Sequence, residues 1–118
     1  MSSSEPIVRA IAAHGLWKTR LKEAIATGKS MFRVDMTQAD NLCDFGKWLY
    51  ALPAPQRADG HWENVRTLHA GFHTEAAKVL HLALLGKKAE AEAALQPGSP
   101  YSAASAALVT ELQAWKVA

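Results

Sequence analysis

The sequence predicts an all-α fold: an antiparallel bundle of four main helices with one additional short helix. Three observations carry this. Apolar residues recur at three-to-four spacing through most of the chain. Proline and glycine stand where that periodicity breaks. No run of alternating β-branched residues is long enough to make a strand. With 118 residues the chain reads as one domain, 1–118, large enough to bury a core without disulfides.

The first helix spans segment 5–27. Ser4, Glu5 and Pro6 suit its cap and first turn, and Ile7, Ile11, His14, Leu21 and Ile25 give it one apolar face. An imidazole therefore sits on an apolar stripe. Thr27-Gly28-Lys29 ends the helix, with Gly28 at the left-handed position beyond it. After a connector, Asp35 or Thr37 caps a second helix that runs to Leu52. Ala39, Leu42, Cys43, Gly46, Leu49 and Tyr50 share one side of it, and Pro53 and Pro55 stop it. The third and longest helix covers 59–85, with Val65, Leu68, Phe72, Ala76, Val79, Leu80 and Ala83 as its buried stripe and Gly86 as its stop. A short helix over 87–95 breaks at Gln96-Pro97-Gly98. Ser99-Pro100 then starts a final helix over 101–116, which carries Leu108, Leu112 and Trp115.

Composition removes several function classes. The chain is 49% hydrophobic and 20% charged with a net charge of +2, and its thirteen basic residues are scattered without interleaved aromatic rings. No nucleic-acid partner is expected. One cysteine excludes an internal disulfide and fits a reducing cytosol. The N-terminus lacks the apolar run of a signal peptide, and no stretch nears the roughly 18 apolar residues of a membrane span. No membrane association is expected, and a cytoplasmic location is.

The residues that carry chemistry are His14, Cys43, His69 and His73. Residues four apart on a helix lie about 40° apart around its axis and about 6 Å along it, so His69 and His73 can reach one ion. Taken singly, Cys43 is a small buried hydrophobe and His14 a core histidine bonded to a carbonyl. Taken together, each lies on the inward face of its own helix, and three imidazoles with one thiolate complete a tetrahedral set for Zn2+. His61 and His81 are each eight residues from the pair, displaced by about 12 Å and about 80°, and are read as surface or helix-end residues. Trp17, Trp48, Trp62 and Trp115 are core or boundary packing. Trp17 and Trp48 also flank the ligands and can shield them from water. Gly46, one turn after Cys43, is read as admitting a neighbouring helix or imidazole.

AHGLW (Ala13 to Trp17), LCDFGKWL (Leu42 to Leu49) and HAGFH (His69 to His73) resemble the three signature blocks of the chemoreceptor zinc-binding (CZB) domain family, and GSPYSAASAALVTEL looks like its final helix. The resemblance implies a bacterial four-helix bundle holding one zinc through His14, Cys43, His69 and His73. It further implies a sensory role in chemotaxis or cyclic-di-GMP signalling, with zinc level or an oxidant such as hypochlorous acid as the signal and Cys43 as the redox-sensitive ligand. Such domains sit at the end of soluble chemoreceptors or beside diguanylate cyclase domains. This chain has neither a coiled-coil signalling region nor a GGDEF-like domain, so the expectation is a free-standing member acting in trans on such a partner, or a piece of a longer protein. Met1 and the serines after it favour the former. A homodimer is the default for a helical module of this kind.

Two other classes compete. A structural zinc scaffold would use the same four ligands without switching. A metalloenzyme would need an open metal position and a general base, whereas four protein ligands close the shell and helix geometry turns Asp44 and Glu75 away from it. The reading is therefore non-enzymatic. A haem or di-iron bundle is disfavoured because the carboxylates do not form inward Glu-x-x-His pairs.

Overall fold

The computed structural model describes residues 5–115, and among them there are seven α-helices and no strand. They are α1 (Glu5–Thr27), α2 (Val34–Gln38), α3 (Asp44–Ala51), α4 (Ala54–Arg57), α5 (Gly60–Leu84), α6 (Lys88–Ala94) and α7 (Pro100–Ala114). The centre is α5, which packs against each of the other six. The expected cap at Ser4 and the last expected helical residue, Lys116, lie outside the described residues.

Local chemistry sets the ends. Gly28, Gly86 and Gly98 adopt φ of 72°, 79° and 87°, the left-handed values that glycine takes without a Cβ penalty. The Asp59 carboxylate accepts from His61 N–H to cap α5. Ser99 accepts from Ser102 N–H to cap α7, ahead of Pro100 at its first turn.

The expected second helix is corrected: it is two short helices. Ala39 ends α2 in an extended conformation, residues 40–43 form a turn and bend, and α3 begins at Asp44. Neither Asp35 nor Thr37 caps it; α2 starts at Val34, after Arg33. Leu42 and Tyr50, placed on the inward side by a continuous helix, are instead exposed. The segment from Pro53 also contains a single helical turn, α4, with proline in its first turn.

The core is apolar and centred on α5, where Val65 and Phe72 are fully enclosed. They meet Leu21 of α1, Leu49 of α3, and Leu108 and Leu112 of α7. Trp17, Trp62 and Trp115 are buried, and Trp48 is packed at the boundary. Among the described residues only four polar side chains are buried: His14, Thr37, His69 and His73. A core buries polar groups where they have partners, so this concentration marks one locus.

Candidate metal centre

The four nominated ligands converge. One donor atom from each of His14, Cys43, His69 and His73 lies within 4.8 Å of every other. α1 supplies His14 on the stripe that also buries Ala10, Trp17 and Leu21. Consecutive turns of α5 supply His69 and His73. Cys43 comes from the bend before α3, where its backbone is extended (φ −79°, ψ 160°) and its sulfur accepts from Gly46 N–H at 3.3 Å. The expectation that Cys43 lies on a helix face is corrected: it is the residue that caps one.

Backbone carbonyls select the metal-facing nitrogens. His14 Nδ1–H donates to the Ala10 carbonyl at 2.6 Å, and His73 Nδ1–H donates to the Thr37 carbonyl at 2.9 Å. Both rings therefore keep a lone pair on Nε2, as a metal-binding imidazole requires. His69 Nε2 lies 3.1 Å from His73 Nε2, and Cys43 Sγ lies 3.4 Å from the first and 3.6 Å from the second. Around a tetrahedral zinc, bond lengths of about 2.0–2.1 Å to nitrogen and about 2.3 Å to sulfur put nitrogens roughly 3.3 Å apart and sulfur roughly 3.6 Å from nitrogen. Three donors already stand at those edges. His69 Nδ1 is buried with no hydrogen-bond partner among the described residues.

Electrostatics agree with a cation site. Burial lowers the pKa of His14 to about 4, against the opposing effect of the Ala10 carbonyl. It lowers that of His69 to about 2, with His73 and His14 adding to the shift. His73 is also lowered by burial, partly offset by the Thr37 carbonyl and Asp40. Burial pushes the Cys43 thiol up, and the Gly46 N–H acts the other way. Three neutral imidazoles with their lone pairs converging on one point are chemically a ligand set for a divalent ion.

The surroundings differ in part from expectation. Trp17 and Trp48 line a cleft that opens onto His14 and Cys43. The rings in closest contact with the imidazoles are others. Phe45 lies 5.1 Å from His69, and Phe72 lies 4.9 Å from His14, both nearly edge-on. Phe45 had a legible signal in its position two residues after Cys43; the Ala10 and Thr37 carbonyls had none. Gly46 admits neither a helix nor an imidazole. A Cβ there would lie 1.9 Å from the Asp40 carbonyl oxygen, so what it accommodates is the chain's own bend. His61 and His81 lie outside the cluster; His61 is exposed, with Nδ1 2.7 Å from the Glu111 carboxylate, and His81 is exposed in the last turn of α5.

No curated protein and no solved structure matches the chain. The family model of the chemoreceptor zinc-binding domain matches residues 14–80, more than half of the chain and all four ligands. Its match begins at His14 and passes beyond His73, so the protein belongs to the CZB family, as a zinc-binding domain with a His3Cys ligand cluster.

Proposed function

We propose that this protein is a sensory or regulatory zinc module in which Cys43 is the responsive ligand. One observation carries the reading, the unequal setting of the four donors. Three imidazoles are buried on long helices, while the thiol is half-buried, lies outside any helix and borders two clefts. Bound zinc supplies the charge that keeps Cys43 as thiolate and the energy that orders the elements it joins. Against hypochlorous acid, the Cys43 sulfur gives up two electrons and becomes a sulfenic acid while chloride leaves. The sulfur is then a poorer donor, and the bend at 40–43 loses its tie to α5. On this reading α2 and α3 together fill the place of one helix in a four-helix bundle, and their release is the signal.

The output would pass to a signalling partner in trans, a chemoreceptor or a diguanylate cyclase, from a homodimer in the cytoplasm. No helix among the described residues is long and apolar enough to cross a membrane. Four protein donors fill a tetrahedral shell, which favours regulation over hydrolytic catalysis, where one position is kept for water. The test is metal content of the parent and of Cys43→Ala and His69→Ala, followed by zinc release on oxidant titration. About one zinc per chain in the parent, and oxidant-driven release that depends on Cys43, are expected. An unreactive Cys43 with zinc held throughout would make the site a structural scaffold. Unchanged metal content and oxidant response in Cys43→Ala would end the proposal.

A further inference from the structure

The thiol ligand stands on the least regular stretch of the site, so contacts other than helical hydrogen bonds must hold it. Three do so. His73 Nδ1–H donates to the Thr37 carbonyl on the N-terminal side, at 2.9 Å. Gly46 N–H donates to Cys43 Sγ on the C-terminal side, at 3.3 Å. Between them the Tyr50 hydroxyl, near the end of α3, donates to Asp40 Oδ2 at 2.5 Å.

The third contact spans the bend. α3 is itself fixed to α5, because Trp62 Nε1–H donates to the Leu49 carbonyl at 2.9 Å and the Trp62 ring meets Tyr50 edge-on at 6.1 Å. Trp62 is buried and lies two turns before His69 on the same helix. α5 thus holds α3, Tyr50 of α3 holds Asp40, and three residues later comes Cys43. The missing side chain at Gly46 lets the Asp40 backbone rest on the first turn of α3.

The geometry points to Asp40 and Tyr50 as positioning residues for zinc, whose mutual hydrogen bond sets where Cys43 Sγ stands relative to His69 and His73. Neither is among the four donors. Tyr50 is 37% exposed, and a hydrogen bond open to water adds little to global stability. Its effect falls on the placing of the sulfur. The inference depends on zinc binding by the cluster and not on the sensory role.

The test uses the full chain with Tyr50→Phe, Asp40→Ala and Asp40→Asn, loaded with zinc or with cobalt(II). Tyr50→Phe keeps the ring against Trp62, and Asp40→Asn keeps an acceptor oxygen while removing the charge. Zinc affinity, read by competition with a chromophoric chelator, is expected to fall about fivefold in Tyr50→Phe and Asp40→Ala, the equivalent of one net hydrogen bond. Asp40→Asn should stay near the parent, and Tyr50→Phe with Asp40→Ala should be no weaker than either alone. In the cobalt form the thiolate-to-metal charge-transfer absorption should weaken while unfolding of the metal-free protein is unchanged. Parent affinity and parent absorption in both disabling variants would overturn the inference. So would an Asp40→Asn loss equal to that of Asp40→Ala, or an affinity loss matched by metal-free destabilisation with the absorption unaltered. A parent chain that bound neither metal would instead refute the zinc assignment.

Discussion

Two regions of the molecule share one metal site on different terms. α5 contributes two imidazoles from a helix of 25 residues that touches every other helix, with Phe72 and Val65 fully enclosed beside them. The bend at 40–43 contributes one sulfur from a stretch flanked by helices of five and eight residues, with Leu42 exposed beside it. In α5 the ligands are placed by the fold, whose core would exist without them. At Cys43 the ligand is placed by a few polar contacts and by the metal. Local stability follows packing, so the second region should be the one that responds when the metal is lost.

Chelation is the broadest way to break that comparison and should have the largest effect. A ligand present at about a thousand times its Kd stabilises the folded state by about 4 kcal/mol, and stripping zinc removes that contribution. Amide exchange should then accelerate first across 37–46, while 62–83 of α5 keeps most of its protection. Equal loss in both regions would show that the packing difference does not govern the response.

His69→Leu sharpens the rigid side. Sharing about 12 kcal/mol of zinc binding among four donors gives about 3 kcal/mol each, so affinity should fall about a hundredfold. The same change removes a fully buried imidazole whose Nδ1 has no partner among the described residues, so the metal-free variant should gain about 1 kcal/mol in chemical denaturation. A variant less stable than the parent when both are metal-free would mean that His69 contributes to the core without zinc.

These expectations use residues whose roles were not equally legible in the sequence. The helical class, the long central helix, Gly28 and Gly86 as stops and Ser99-Pro100 as a start all follow from periodicity and backbone preference, and the structure has them. The four ligands were legible because His69 and His73 share a helical register, His14 interrupts an apolar stripe and Cys43 is the only cysteine. The break at 40–43 was not. Ala39, Leu42, Leu49 and Tyr50 keep a helical rhythm across it, and only the steric demand of Asp40 on Gly46 reveals that the chain bends there. Periodicity reports which residues are apolar; it does not report where the backbone leaves its helix. The carbonyls that orient His14 and His73 were equally silent, since every residue has one.

Two glycine substitutions turn the regional contrast into opposite signs. At Gly46 an added Cβ would meet backbone, so Gly46→Ala should destabilise the protein by about 2 kcal/mol and displace Cys43 with it. At Gly71, between the two histidines of α5, an added Cβ meets nothing within 4 Å. Gly71→Ala should therefore stabilise the helix by about 0.5–1 kcal/mol and leave zinc affinity near that of the parent. Denaturant midpoints of the two variants measure both. The same sign at both positions would remove the distinction drawn between a helix with room and a bend without it.

The smallest effect is that of His61, which is exposed at the start of α5, pairs with Glu111 of α7 and opposes the buried cluster as pH changes. In the metal-free protein, burial lowers His14 to about 4 and His69 to about 2 from an ordinary value of 6.5. The unfolded chain then binds protons that the folded one refuses. The stability tied to neutral imidazoles is full above the unfolded value and is lost as pH falls through 6.5 towards about 4. His61 is the reverse case, since its hydrogen bond to Glu111 raises its pKa. That contribution is full below the unfolded value and is lost as pH rises through the raised folded one. His61 is solvent-exposed and its charge is screened, so the cluster should dominate and metal-free stability should climb between about pH 5 and about pH 7. His61→Asn removes the opposing contribution, and its urea midpoint should climb more steeply over the upper part of that range. A parent midpoint that fell between about pH 6 and about pH 7 would mean that the His61–Glu111 pair outweighs the buried imidazoles. The contrast between the enclosed and exposed sides of α5 would then fail at its most sensitive point.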